Sequence, residues 1–230
     1  MRWYLAAMSK LERHMLVWLS EAGWEAARAT QSQHATALTQ WQRRNWPAVV
    51  RRQDVDASLD EVCLGLPVPP DTAGVKTRIA LRVKAANVVR SSAAMALRAA
   101  LPFSGAWHAR LTALCDEASA LHLRVFGSLA MQAVTGLQYV SPASDVDVLF
   151  HPASRQELND GLVLLERHTK HLPLDGEIVF PGGAAVSWKE WQMAMRHPAK
   201  VMVKELHTVR LTNTASLLAT LDAQEMQRCA

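Results

Sequence analysis

Hydrophobic and polar positions recur along this chain with two different periods. Over 5–28, Leu11, Met15, Trp18, Leu19 and Ala22 return at three- and four-residue spacing, which predicts a core-facing helix. After Pro47 the pattern changes to short β-prone runs at 48–52 and 61–66. Over 77–83, Ile79, Leu81 and Val83 fall on one face and Arg78 and Arg82 on the other, the alternation of a half-buried strand. A helix is expected over 85–100, a break at Leu101-Pro102-Phe103-Ser104-Gly105, and a further helix over 106–121 with Leu111, Leu114, Cys115 and Ala118 on one face. The second half reads as strand 123–126, helix 129–136, loop 141–144, strand 145–150 and helix 156–171. A hairpin of 175–180 and 184–188 follows, turning at Pro181-Gly182-Gly183, then a last strand over 200–211 and a closing helix over 215–226. The expected fold class is α+β. A C-terminal lobe at 104–230 carries a mixed sheet flanked by helices, and a smaller helix-plus-sheet lobe occupies 1–103.

Composition narrows the class. With 230 residues, 50% hydrophobic and 20% charged, the chain can bury a core and is neither disordered nor fibrous in character. No run reaches the ~18 apolar residues of a membrane-spanning helix. Lys10, Glu12, Arg13 and His14 interrupt the first segment, so no secretory signal and no membrane association are expected. Cys63, Cys115 and Cys229 lie far apart and form no Cys-x-x-Cys pair, which points to a reducing cytoplasm. The net charge of +4 is uneven: residues 1–116 hold 15 Lys and Arg against 9 Asp and Glu, the remainder 10 against 12. A basic first half suits an acidic partner, whether nucleic acid, a phosphorylated ligand or an acidic protein. The plain alternative is an arginine-rich solvated surface.

The candidate chemistry sits in the second half. Val125-Phe126-Gly127-Ser128 turns a strand into a helix, and Asp145-Val146-Asp147 opens the next strand. Side chains at i and i+2 of a strand share a face, so Asp145 and Asp147 project together with Val146 behind them. Two adjacent carboxylates repel, and a divalent cation relieves the repulsion. Mg²⁺ takes one or two carboxylates and completes its shell with water and substrate phosphates. Gly127 lets a phosphate approach the backbone, and the first amides of the helix with the Ser128 hydroxyl can hold phosphate oxygens. Together these residues predict metal-assisted transfer of a phosphoryl-linked group. A third carboxylate is expected from a neighbouring strand, Asp175 or Glu177, which share a face. Asp175-Gly176 also reads as a turn, and Glu177, one pair further in, is expected nearer the level of Asp145 and Asp147. Lys200 and Lys204 are candidate cations for a triphosphate. No Gly-x-Gly-x-x-Gly and no Gly-x-x-x-x-Gly-Lys-Ser/Thr is present. His168 and His171, three apart on a helix, are expected to face solvent rather than bind metal.

The Gly-Ser helix and Asp-x-Asp strand resemble the nucleotidyltransferase superfamily. More narrowly, Arg124-Val125-Phe126-Gly127-Ser128-Leu129-Ala130-Met131, Thr135-Gly136-Leu137, Ser144-Asp145-Val146-Asp147-Val148-Leu149, Asp175-Gly176-Glu177-Ile178-Val179-Phe180-Pro181-Gly182-Gly183, Trp188-Lys189-Glu190-Trp191 and Val201-Met202-Val203-Lys204 are similar to one family. It is the malonate decarboxylase holo-acyl-carrier-protein synthases, or phosphoribosyl-dephospho-CoA transferases. The similarity covers about 120–210, and more loosely Trp46-Pro47-Ala48-Val49-Val50-Arg51-Arg52 and Leu66-Pro67-Val68.

The resemblance implies a donor, 2′-(5″-triphosphoribosyl)-3′-dephospho-CoA, and an acceptor serine on the apo acyl-carrier subunit of malonate decarboxylase, with diphosphate leaving. It implies Mg²⁺ held by Asp145 and Asp147, phosphates cradled by Gly127 and Ser128, substrate contact by Lys204, and a catalytic role for Glu177 beside the two aspartates. Ser128 is not expected to be a nucleophile, since no His-Asp relay accompanies it. Two other readings stand beside this one. The first is a nucleotidyltransferase acting on RNA, protein or a small molecule; the second is a non-catalytic nucleic-acid-binding module built on the basic lobe.

Overall fold

The computed structural model describes residues 11–197 and 199–229. The chain is α+β and divides into two compact units, one running up to Ala94 and including Leu206–Thr208, the other holding the rest. The division falls ahead of the break expected at Phe103, because Met95 and Ala96 pair with Val125 and Arg124 in the second unit's sheet.

The first unit is an antiparallel sheet of five strands with two helices. In chain order these are β1 (Leu16–Leu19), α1 (Glu21–Thr30), α2 (Ala35–Arg44), β2 (Ala48–Val50), β3 (Glu61–Pro67), β4 (Arg78–Lys84) and β5 (Val88–Ser92). The strand order is β4-β3-β2-β1-β5. The helix expected over 5–28 is a strand followed by a helix, and its residues 5–10 lie outside the described ones. Leu16-Val17-Trp18-Leu19 is a continuous apolar run that pairs with β2 on one side and β5 on the other. Ser20 then caps α1, its hydroxyl accepting from Gly23 N–H at 3.1 Å.

The helix expected over 85–100 is also corrected. A single turn at Ala85–Asn87 leads into β5, and only Leu97–Ala100 is helical. Alanines on both sides favour helix, but the β-branched pair Val88-Val89 and the pairing with β1 prevail. Trp18 and Arg90 are register partners, and the guanidinium stacks 3.5 Å above the indole ring. Trp24, Ala27, Leu38 and Trp41 bury the inner faces of the two helices.

The second unit contains β6 (Met95–Ala96), α3 (Leu97–Ala100), α4 (His108–Glu117), β7 (Arg124–Phe126), α5 (Gly127–Thr135), β8 (Val146–Phe150), α6 (Arg155–His168) and β9 (Leu174–Val179). β10 (Ala185–Ser187), α7 (Trp188–Arg196), β11 (Val201–Lys204), β12 (Val209–Thr212) and α8 (Thr214–Cys229) complete it. Its seven strands run in the order β12-β11-β10-β9-β8-β7-β6, and β8 and β9 are parallel. That parallel pair is joined through α6, as a crossover connection requires. The single strand expected over 200–211 is two strands, β11 and β12, joined through Leu206–Thr208. Helix α7 is an element the sequence reading did not expect, although Trp188, Trp191 and Ala194 recur at helical spacing and are buried.

One sheet face is built from Val125, Val146, Val148, Phe150, Ile178, Val186, Val201 and Val203, all buried in a core shared with Leu158, Leu162, Trp191 and Leu221 from the helices. The packing is close: a β-carbon on Gly161 of α6 would lie 2.3 Å from the Phe150 ring. The alternate positions of β7, β8 and β9 form the other face, and these carry Phe126, Asp147, Asp175 and Glu177.

Candidate active site

The site begins at Gly127, where β7 ends and α5 starts. Its φ is +66°, and a β-carbon there would lie 2.1 Å from Asp147 Oδ2. Both the left-handed backbone and the carboxylate in the adjoining space demand glycine. Phe126 and Asp147 are register partners, so the Asp147 carboxylate meets the Gly127-Ser128 turn at the first turn of α5. The partial positive charge of a helix start suits an anion there.

Asp145 is exposed just before β8, Val146 is fully buried, and Asp147 is half-buried. Of the expected pair, Asp147 lies within the strand and Asp145 immediately precedes it. A residue the sequence reading passed over shapes the chain leading to it. The Gln132 side-chain oxygen accepts from the N–H groups of Tyr139 and Val140, each at 3.0 Å, and its amide donates to Phe103 O at 2.7 Å. Ser144, 4% exposed, ties the turn by accepting from Ser141 N–H at 3.0 Å. No composition or period signals such a role for a lone glutamine.

The two candidates for a third carboxylate differ in register. Asp147 lies opposite Asp175, and Leu149 opposite Glu177. Asp175, not Glu177, is level with Asp147 and the Gly127 turn; the reverse was expected. Asp175-Gly176 is also no turn, since both residues lie within β9. Gly176, at φ +143°, is required because a β-carbon would fall 1.9 Å from Val148 O.

Glu177 is one pair deeper and nearly buried, with its side chain 7% exposed and Oε1 3.2 Å from Lys204 Nζ. The structure thus brings Lys204 to the candidate acids, while Lys200 lines a shallow pocket with Asn213 and Thr214. Lys189, not singled out in the sequence, has its Nζ 3.5 Å from Asp175 Oδ1. His168 does not face solvent: its side chain is 11% exposed and lies 3.3 Å from Glu117 Oε1, whereas His171 is exposed. His151, just beyond β8, has a buried Nδ1 without a hydrogen-bond partner, and burial together with the Arg124 charge lowers its pKa and keeps it neutral at pH 7.

For a metal, the donor set consists of carboxylate oxygens at one end of the sheet. Among the described residues no three His, Cys, Asp or Glu side chains are gathered closely enough to hold an ion by themselves. Two aspartates completed by substrate phosphates suit Mg²⁺, which rarely occupies an all-protein cage. Among the described residues no helix is long and apolar enough to cross a membrane.

Two family models match the chain. Residues 12–94 match the phosphoribosyl-dephospho-CoA transferase MdcG N-terminal domain, and residues 91–215 match the C-terminal domain of the same protein. The chain belongs to the phosphoribosyl-dephospho-CoA transferase family. It is accordingly a transferase. A phosphoribosyl-dephospho-CoA transferase of Xanthomonas axonopodis pv. citri is 36% identical over 217 residues, covering 92% of this chain and 98% of the relative. One from Xanthomonas campestris pv. campestris is 39% identical over 184 residues, 78% of this chain and 84% of its own. One from Bradyrhizobium diazoefficiens is 37% identical over 187 residues, 77% and 80% respectively. No solved structure matches the chain. Both domain models end or begin within four residues of the division between the two compact units of this transferase.

Proposed function

We propose that this transferase moves the phosphoribosyl-dephospho-CoA group from 2′-(5″-triphosphoribosyl)-3′-dephospho-CoA to a serine of the apo acyl-carrier subunit of malonate decarboxylase. The observation that carries the reading is the meeting of Gly127, Asp147 and Asp175 at one end of the sheet. A phosphate cradle beside carboxylates is what a polyphosphate donor requires, and family membership supplies the group transferred. The fold of the second unit is read as nucleotidyltransferase-like on the same grounds, and the reaction as nucleotidyl transfer. The two buried free thiols, Cys63 and Cys115, suit a cytoplasmic setting.

The acceptor serine oxygen forms a bond to the donor's α-phosphorus, and the bond from that phosphorus to the oxygen bridging to the β-phosphate breaks. Diphosphate departs with the bridging oxygen, and the serine proton passes to a carboxylate. Asp175, level with Asp147 and part-exposed, is the better placed acceptor of that proton; Glu177 is engaged with Lys204. Gly127 and Ser128 hold phosphate oxygens at the start of α5. Asp145 and Asp147 are the residues that would hold Mg²⁺, which when bound offsets the charge of the polyphosphate. Lys204 fixes Glu177 one level deeper in the sheet.

Diphosphate release tests the reading. With donor, Mg²⁺ and apo carrier subunit together, diphosphate is expected to form in step with carrier consumed. Its formation at the same rate without carrier would contradict the assigned acceptor.

A further inference from the structure

Lys189 stands where a basic side chain is electrostatically misplaced. It lies in the first turn of α7, where unpaired amides already present positive partial charge and an acidic residue is the stabilising choice. Glu190, in the same turn, follows that rule. The Lys189 ammonium lies 3.5 Å from Asp175 Oδ1 and 5.7 Å from the Trp188 ring. Both partners of the ion pair are substantially exposed, 52% for Lys189 and 42% for Asp175, so the pair contributes little to stability. Departures from local electrostatic preference without a stability gain concentrate at functional positions.

Its location gives that departure a purpose. β10 runs antiparallel to β9 with Ser187 opposite Glu177, so the chain leaving β10 heads for the level of Asp175. Asp175 is opposite Asp147, whose carboxylate fills the space beside Gly127. Lys189 is thus a cation held at the same end of the sheet as the phosphate cradle. Lys204 is bound one level deeper, to a nearly buried Glu177. A polyphosphate placed against Asp145, Asp147 and Asp175 brings negative charge to negative charge, and an exposed ammonium at that level answers it.

We infer that Lys189 is a donor-binding residue whose ammonium exchanges the Asp175 carboxylate for a non-bridging oxygen of the donor's β- or γ-phosphate, leaving Asp175 to act on the acceptor. This rests on the reading of the site as a polyphosphate-transfer site. Lysine serves such a task as a compact charge on a flexible stem, which can change partners without moving the helix.

Inorganic tripolyphosphate with Mg²⁺, titrated calorimetrically into the full-length enzyme, is the direct probe. The wild type is expected to bind it, Lys189→Met at least about 10-fold more weakly, and Lys189→Arg close to wild type, the range for losing a charge-assisted hydrogen bond. Lys189→Met should raise the donor KM by a similar factor, leaving the carrier KM and the melting temperature unchanged. Equal tripolyphosphate binding by wild type and Lys189→Met overturns the assignment, as does a wild type that does not bind. A loss of binding that appears only with a lowered melting temperature, and is not restored by arginine, assigns Lys189 to structure instead and also overturns it. Lys189-dependent tripolyphosphate binding by an enzyme that transfers nothing to the carrier would remove the proposed reaction and leave the Lys189 assignment standing.

Discussion

A carboxylate oxygen of Asp147 occupies the volume that a side chain at position 127 would need. That single contact fixes where charge gathers in the second unit, and the residue-level expectations follow from it. Asp147→Asn and Asp145→Asn keep shape and remove a ligand charge, so each should abolish transfer while circular dichroism and melting stay as in the wild type. Near-normal carrier modification by either folded variant would contradict the metal-holding role. Asp175 and Glu177 are separated by register. Asp175→Asn should lower single-turnover transfer by at least about 10², the lower range for a positioned general base, with little change in melting. Glu177→Gln withdraws the charge partner of Lys204 in a nearly buried position and should act mainly on melting temperature. A fully active Asp175→Asn beside a stable, inactive Glu177→Gln would return the third carboxylate to position 177.

At the scale of elements, the parallel pair β8–β9 sets Asp147 and Asp175 side by side. Gly176→Ala would press a β-carbon against Val148 O, at 1.9 Å in the present backbone, so the strands must part. The expected cost is about 3 kcal/mol or more, at the upper end for single substitutions, read from the urea midpoint. The Gly-Ser turn into a helix and the strand that follows Asp145 were legible in sequence because the order strand, turn, helix, strand is written in local patterns. Other elements were not. Trp18 fits a helical stripe as well as it fits a strand, and only its pairing with Arg90 in β5 decides. Ala85 and Ala86 read as helix until Val88 and Val89 are set against β1. Lys189 went unnoticed because Trp188 was assigned to the end of the preceding strand, although Trp188, Trp191 and Ala194 bury one face of α7 at helical spacing. Asp175 was ranked below Glu177 because register across parallel strands depends on the α6 crossover, which spacing within one strand cannot reveal.

At the scale of the whole molecule, the basic first unit is less free than its charge suggests. Asp54 accepts two hydrogen bonds from Arg51, at 2.5 and 2.7 Å, and one from Arg82 at 2.8 Å, while Arg82 also pairs with Asp56. Arg51 further donates to Leu64 O at 3.1 Å, which makes it part of the unit's framework. Docking of the carrier subunit is therefore best tested at exposed Arg43, Arg44 and Arg52. Charge reversal there should raise the carrier KM and flatten its salt dependence, with the donor KM unchanged. Equal effects on both substrates would argue against docking by this unit.

The guanidinium of Arg51, with that of Arg82, holds the Asp54 carboxyl well below the usual carboxylate range. A carboxyl depressed on folding contributes stability that is complete above its unfolded value near 3.9 and is lost as pH falls through its folded value. Wild type should therefore lose urea resistance below about pH 4 more steeply than Asp54→Asn. Parallel curves for the two proteins would contradict that linkage.

In the proposed function, the Gly127–Asp147–Asp175 end of the sheet moves a prosthetic group onto a carrier serine. Intact-mass spectrometry of the apo carrier subunit, after incubation with enzyme, triphosphoribosyl-dephospho-CoA and Mg²⁺, tests it most directly. A single mass increase equal to one phosphoribosyl-dephospho-CoA group is expected with wild type and not with Asp147→Asn. An unmodified carrier with active-site-intact enzyme, or the same increase with Asp147→Asn, would contradict it.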